Sequence, residues 1–144
     1  MEQNKVLCLL CSKDDFLHQI VFETPSFYVI LPRKKIGNGY FLVFPKRHIN
    51  DFNLSSDEFK DFSLCMEKIK KLFTDYHKSV DYNLFCNIGY SAGQHIEHLH
   101  FHVFSRSENE EYNPLNKLNK EGLSRSGQLS EEEIITLVGK YKNS

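Results

Sequence analysis

The chain has 144 residues, of which 40% are hydrophobic and 13% aromatic, so its length suits one globular domain with a core of its own. Eighteen Lys and Arg residues nearly balance 19 Asp and Glu residues, which excludes an overall basic field that would bind nucleic acid in bulk. No apolar run approaches the roughly 20 residues that cross a bilayer, and the first residues lack the apolar stretch of a signal peptide, so we expect a cytoplasmic protein with no membrane partner.

The four cysteines divide into one pair and two single residues. Cys8 and Cys11 form a C-x-x-C pair near the start of the chain. Cys65 and Cys86 stand in apolar surroundings that are typical of buried free thiols. We therefore expect no disulfide scaffold.

Three short strands are predicted over residues 19–22, 27–31 and 40–44. The turn-forming segments 24–26 and 37–39 separate them, which predicts an antiparallel meander. A long helix follows, because Ser55 and Glu58 have the spacing of a capping box. Its apolar residues recur at intervals of three and four and should pack on the sheet: Phe59, Phe62, Met66, Ile69, Phe73 and Tyr76.

The most informative segment follows a strand predicted over residues 82–88 and a loop over 89–93. Its residues alternate as His98-Leu99-His100-Phe101-His102-Val103-Phe104. In a strand, side chains alternate between faces, so the three imidazoles would share one solvent- or ligand-facing side and the apolar residues would face the core. The alternative is an incidental histidine tract, which strict alternation makes the weaker reading. We therefore predict a row of bases lining a site.

Residues beyond Arg106 are polar through Gln128, and a short helix capped at Ser130 is predicted to end the chain. We interpret residues 1–107 as the domain core. Residues 108–144 are interpreted as a polar arm with a short terminal helix, mobile or contacting a partner, within the same single domain.

Two blocks of sequence resemble the histidine triad (HIT) family. The first is Asn87-Ile88-Gly89-Tyr90-Ser91-Ala92-Gly93-Gln94 leading into His98-x-His100-x-His102, and the second runs from Phe41 to Ile49 and includes Pro45-Lys46-Arg47-His48. The resemblance implies an α+β HIT fold: a five-stranded antiparallel sheet with one long helix and a short C-terminal helix. It also implies a homodimer that acts on a small nucleotide substrate and cleaves phosphoanhydride or phosphoramidate bonds.

The resemblance assigns the chemistry to the triad His98, His100 and His102. A neutral imidazole offers a free lone pair near neutral pH, so His100 is the candidate nucleophile that forms a nucleotidyl intermediate at the α-phosphate. His102 would contact the same phosphate. We expect the other ring nitrogen of His100 to donate to a backbone carbonyl and so fix the reactive tautomer.

Further substrate contacts are expected from the loop before the triad. Asn87, Gln94 and the backbone near Gly93 are candidate donors to the phosphate. A loop-stabilising hydrogen bond is the alternative for both amides, and for Gln94 it is as well supported. His95 occupies a position where many relatives have Ser or Thr. It either protonates the leaving group or points to solvent.

The sequence departs from nucleotide-binding relatives at Leu31-Pro32-Arg33-Lys34-Lys35, where they carry an acidic residue for the ribose hydroxyls. These basic residues either meet additional phosphates of a longer substrate or form a surface turn, and we favour the surface turn.

Cys8, Cys11, His48 and His98 make up a Cys₂His₂ set if the N-terminal segment folds against the second block and the histidine segment. Some branches of the family hold zinc with this set, so we expect a structural Zn²⁺ and no organic cofactor. Reduced thiols without metal are the alternative. If zinc takes His98, catalysis rests on His100 and His102.

The leading hypothesis is a hydrolase of nucleotide phosphoramidates or dinucleoside polyphosphates, since His102 at the third triad position favours hydrolases over transferases. A nucleotidyltransferase or phosphorylase of the same family is the enzymatic alternative. The missing ribose acid instead favours a non-catalytic nucleotide-binding or interaction module. A zinc-stabilised scaffold without a ligand pocket is the third rival.

Overall fold

The computed structural model describes residues 8–116 and 127–144 and contains a five-stranded antiparallel sheet. The strands, in sheet order β1-β2-β3-β5-β4, are β1 Ile20–Glu23, β2 Phe27–Ile30, β3 Tyr40–Pro45, β5 Phe101–Arg106 and β4 Asp81–Cys86. The helices with both ends in the described residues are α1 Lys13–Phe16, the long α2 Ser56–His77 and α3 Glu131–Lys142, with 3₁₀ turns at Leu17–Gln19 and Tyr90–Ala92. The predicted α+β fold is confirmed. No helix in the described residues is long and apolar enough to span a membrane.

The two faces of the sheet are covered differently. On one face, β2, β3 and β5 present residues such as Val29, Phe41 and Val103, which pack in the main core with α2 and α3. On the other face, Ile30, Leu42 and Phe44 pack against the N-terminal segment. This second face carries the histidine segment.

Helix α2 begins as its sequence predicts, with reciprocal hydrogen bonds between Ser55 and Glu58. The predicted apolar stripe is wrong at Phe59, which is 43% exposed and contacts Phe52 of the preceding loop at 5.4 Å between ring centroids. Cys65 and Leu72 are buried and complete the stripe instead.

The prediction of one strand through all three triad histidines is only partly right. Strand β5 begins at Phe101, so His98 and His100 lie in the segment before it. Strand β4 has ended at Cys86 and offers this segment no partner, and the Leu99 N–H donates instead to the Ile49 carbonyl at 2.6 Å. The alternation nevertheless holds, because Leu99, Phe101 and Val103 all enter the main core.

The interpretation of the C-terminal region as a mobile or partner-contacting arm is wrong for α3. Ile134, Val138 and Tyr141 follow helical spacing and are buried in the main core, where Tyr141 packs edge-on against Phe41. Residues 1–7 of the proposed core and 117–126 of the proposed arm lie outside the described residues. The division at residue 107 stays a prediction.

Candidate active site

A cavity of about 660 Å³ opens on the sheet face opposite α2. Its polar lining includes His100 and His102 together with Asn87, Gly93 and His95 from the loop before the triad. The remaining wall is largely apolar and includes Leu10, Phe16, Ile30, Leu42 and Phe85. The cavity therefore places a few polar groups at one end of an apolar pocket, which is typical of small-ligand sites.

His100 has the tautomer that a nucleophile requires. Its Nδ1–H donates to the His98 carbonyl at 2.7 Å, as the sequence analysis predicted, so the lone pair lies on Nε2. Burial lowers the pKa of this imidazole, the hydrogen bond to the carbonyl opposes that shift, and the nearby His95 lowers it further. His100 is therefore neutral at pH 7, with its lone pair available.

His102 is held by a buried partner that sequence reasoning missed. The Tyr40 hydroxyl lies 2.8 Å from Nδ1 of His102 and has no other partner among the described residues. Burial lowers the pKa of His102 to about 3 and raises that of Tyr40, so both groups are neutral. Because a buried hydroxyl needs an acceptor, Tyr40 donates to Nδ1, and the proton of His102 resides on Nε2. His102 is therefore a hydrogen-bond donor.

Strand register explains why Tyr40 escaped notice. Tyr40 faces Phe104 across the β3–β5 pair, and His102 is opposite Leu42. The contact is thus a diagonal one between neighbouring strands, and such a pair depends on a register that the sequence alone leaves open.

The loop residues predicted to bind phosphate separate into two groups. Asn87 and Gly93 line the cavity, and the exposed His95 sits on its rim. Gln94 is buried, and its Oε1 accepts the Gly89 N–H at 2.8 Å, which is the loop-stabilising alternative. Its Nε2 has no partner in the described residues. Gln94 is not among the residues that line the cavity.

Cys8, Cys11, His48 and His98 converge beside the cavity, with one donor atom of each within 4.8 Å of the others. Cys8 Sγ lies 3.4 Å from His98 Nδ1, and Cys11 Sγ lies 3.2 Å from His48 Nδ1. Tetrahedral zinc with bonds of about 2.0–2.3 Å would place its ligand atoms roughly 3.5 Å apart. The cluster therefore has the donor types and spacing of a metal site.

The prediction that all three triad imidazoles line one site is wrong for His98, which belongs to this cluster and is not among the described residues that line the cavity. Its Nε2–H donates to the Pro45 carbonyl at 2.7 Å, which directs Nδ1 toward the thiols. Its own carbonyl accepts the Nδ1–H of His100. Burial lowers the pKa of His98 to about 4 and keeps the ring neutral.

The comparisons with known proteins agree with this architecture. The HIT domain family matches residues 13–109. The chain belongs to the HIT family.

An uncharacterized HIT-like protein of Helicobacter pylori is 40% identical over 82 residues, which are 56% of this chain and 73% of that protein. A bis(5′-adenosyl)-triphosphatase of Dictyostelium discoideum is 28% identical over 123 residues, 83% of each chain. The crystal structure of a zinc-bound histidine triad protein from Mycobacterium smegmatis gives a TM-score of 0.69 at 22% identity, over 96% of this chain and 95% of that one.

In this HIT protein, the sequence favoured a surface turn for the basic segment 31–35, but part of that segment lines the cavity. Pro32, Arg33 and Lys34 all line the cavity, whereas Lys35 is exposed and is not among the lining residues. The main chain here pairs with the segment before α3, through an isolated bridge between Lys34 and Gln128. The polar stretch around residue 128 gave no sign of this pairing.

Proposed function

We propose that this HIT protein hydrolyses nucleotide phosphoramidates or dinucleoside polyphosphates through a nucleotidyl intermediate on His100. The observation that carries the proposal is the tautomer of His100, whose Nδ1–H is committed to the His98 carbonyl in a ring that lines the cavity. The Dictyostelium relative, named as a bis(5′-adenosyl)-triphosphatase, supports a substrate of this class.

The proposed reaction has two displacements at the α-phosphorus. Nε2 of His100 attacks, a P–N bond forms, and the leaving group departs with the electrons of the P–O or P–N bond and takes up a proton. Water then attacks the phosphorus, the bond to His100 breaks, and a nucleoside monophosphate and a proton are released. The Nε2–H of His102 and the side-chain amide of Asn87, both from residues that line the cavity, would stabilise the charge that develops on the phosphoryl oxygens. His95 at the rim is a candidate proton donor to the leaving group.

Zinc is the metal that we propose for the Cys8, Cys11, His48 and His98 cluster. Two thiolates and two imidazoles suit Zn²⁺, and the Nε2–H of His98 has the carbonyl partner that metal-bound histidines generally have. Four protein ligands close the coordination shell. Zinc there would be structural and would leave catalysis to His100 and His102.

The test follows nucleoside monophosphate release from a panel of adenylyl and guanylyl phosphoramidates and dinucleoside polyphosphates. His100→Ala should abolish release, because no other group replaces the attacking Nε2. His18→Ala is the matched control, since His18 does not line the cavity, and it should retain turnover. Equal turnover in the wild type and His100→Ala would reject the proposal.

Three other outcomes would favour the alternatives. Transfer of the nucleotidyl group to phosphate or to a second nucleotide, at the expense of hydrolysis, would identify a phosphorylase or transferase. Tight nucleotide binding with no product after long incubation would identify a binding module. Metal content without any nucleotide binding would identify a zinc-stabilised scaffold without a ligand pocket.

We also propose that the protein is a cytoplasmic homodimer. Strand β4 is an edge strand, and apolar side chains on and beside it, including Val80, Leu84 and Ile88, are exposed in the single chain. Light scattering of the purified protein distinguishes a dimer from a monomer.

A further inference from the structure

Lys34 lines the cavity, and its positive charge has no counter-charge among the described residues. Its side chain is half-buried, and burial lowers the pKa of its ammonium group, so this group is partly withdrawn from water. No hydrogen bond or ion pair joins it to any residue within 8–116 or 127–144. A partly desolvated cation without a partner is costly, and an anionic ligand would remove that cost.

Each of the neighbouring basic residues differs from Lys34, one by its ion pair and the other by its position outside the cavity. Arg33 lines the cavity, but its guanidinium is paired with Glu131 and lies 2.9 Å from His18. Lys35 is exposed and does not line the cavity. Of the three consecutive basic residues, Lys34 is the one that lines the cavity without an ion-pair partner in residues 8–116 and 127–144.

The main chain fixes Lys34 in place. The Lys35 N–H donates to the Gly127 carbonyl, and the Leu129 N–H donates to the Arg33 carbonyl, both at 2.7 Å. These bonds clamp residues 33–35 to the segment that leads into α3. Lys34 therefore projects from a paired segment and not from a loose turn.

Two observations locate Lys34 relative to the triad. Lys34, His100 and His102 line the same cavity. The positive charge of Lys34 is also close enough to His102 to lower the pKa of that ring. The one carboxylate among the described lining residues, Asp15, is exposed and is not paired with Lys34.

We infer that Lys34 binds a second phosphate group of the substrate, in addition to the phosphate attacked by His100. This inference rests on the proposed function. The second phosphate has two sources: the sugar of the retained nucleotide, at O3′, or the next phosphate of a polyphosphate chain. Pro32, two residues before Lys34, is buried and lines the same cavity, and its side chain has no carboxylate for ribose hydroxyls.

The experiment measures dissociation constants by calorimetry for three ligands: AMP, adenosine 3′,5′-bisphosphate and α,β-methylene ADP. Wild-type protein should bind at least one doubly phosphorylated ligand about tenfold more tightly than AMP, the size of one charge-assisted hydrogen bond. Lys34→Gln should remove this gain and leave AMP binding within about twofold. Lys34→Arg should restore it, and Lys35→Gln, the matched control, should keep it.

The ligand that shows the gain identifies the source of the second phosphate. Equal affinities for the three ligands in the wild type, no binding of any of them, or a gain that survives in Lys34→Gln would overturn the inference. Failure of the proposed function gives a different result: no substrate of the panel releases a nucleoside monophosphate. A wild-type protein without turnover that still shows the Lys34-dependent gain would refute catalysis and retain the phosphate site.

Discussion

At the scale of residues, the site consists of neutral imidazoles whose tautomers are fixed by single partners. His100 is fixed by a carbonyl two residues before it, and His102 by the Tyr40 hydroxyl. The two rings therefore present opposite functions to the cavity, a lone pair from His100 and an N–H from His102. This division suits attack on phosphorus by one ring and stabilisation of the phosphoryl oxygens by the other.

Tyr40→Phe tests this assignment. Loss of the hydroxyl leaves Nδ1 of His102 without its donor, so the proton should redistribute between the two ring nitrogens. We expect kcat to fall about tenfold with little change in KM, because the bond matters most when charge develops on the phosphoryl oxygens. The ¹⁵N shifts of His102 should report the tautomer change, which a purely structural defect would not produce. Tyr90→Phe, at a side chain that is 89% exposed, is the control and should leave kcat and the shifts unchanged.

Glu58 makes a residue-scale contribution to stability. Hydrogen bonds from Arg47 and from the Ser55 backbone lower the pKa of its carboxyl from 4.5 to about 2. A lowered pKa means that the ionised form stabilises the fold. That stabilisation is complete above pH 4.5 and is lost as the pH falls toward 2.

Glu58→Gln should accordingly lower the free energy of unfolding by about 1–2 kcal/mol at pH 7, allowing for the solvent that screens the exposed guanidinium of Arg47. The deficit should shrink as the pH approaches 2. Urea denaturation at a series of pH values measures it. Asp57→Asn, the adjacent and exposed carboxylate of the same turn, should show little of this dependence, and a deficit that is constant with pH would contradict the assignment.

At the scale of elements, α3 is part of the main core even though, in the sequence, a long polar stretch lies between it and the last strand. Its three buried residues lie on one face, and its first turn carries the capping box formed by Ser130 and Glu133. Through Glu131 it also pairs with Arg33 at the cavity wall. The helix thus connects core packing with the basic segment of the site.

Ile134→Ala should lower the free energy of unfolding by about 2–4 kcal/mol, because its side chain is fully buried and its removal leaves a cavity. Ile135→Ala provides a control in the same helix, since that side chain is 63% exposed and should cost less than about 0.5 kcal/mol. Thermal or urea unfolding measures both. Equal effects of the two changes would show that α3 does not pack as described.

The sequence predicted those features that depend on local pattern. Alternation placed Leu99, Phe101 and Val103 in the core, a capping box located the start of the long helix α2, and the cap at Ser130 located the start of the short helix α3. The sequence did not predict features that depend on pairing between distant segments. The bond from Tyr40 to His102 needs the β3–β5 register, and the position of Lys34 needs the bridge to Gln128. The three core residues of α3 were obscured because a short apolar face follows a long polar run.

At the scale of the whole molecule, the Cys/His cluster ties the N-terminal segment to both sequence blocks that carry the HIT resemblance. The same segment supplies Leu10 and Phe16 to the cavity wall. Metal binding at the cluster would therefore stabilise the fold and the pocket together, because metal that binds only the folded chain adds its binding free energy to folding.

Metal analysis of the purified protein should find about one zinc per chain. Cys8→Ser should lose the metal and unfold at a temperature several degrees lower, as should the wild type treated with a strong chelator. Cys86→Ser, a thiol outside the cluster, should retain both metal and stability. Full zinc content in Cys8→Ser would remove that residue from the ligand set.

The contact between Cys8 and His98 spans 90 residues of sequence. During synthesis, Cys8 and Cys11 are made before His48 and His98, so the cluster cannot close until 90 residues have followed Cys8. The hydrogen bond from His98 to the Pro45 carbonyl then holds the ring toward the thiols. Until the cluster closes, both thiols lack their histidine partners and are more open to oxidation than in the folded chain, where Cys8 is buried.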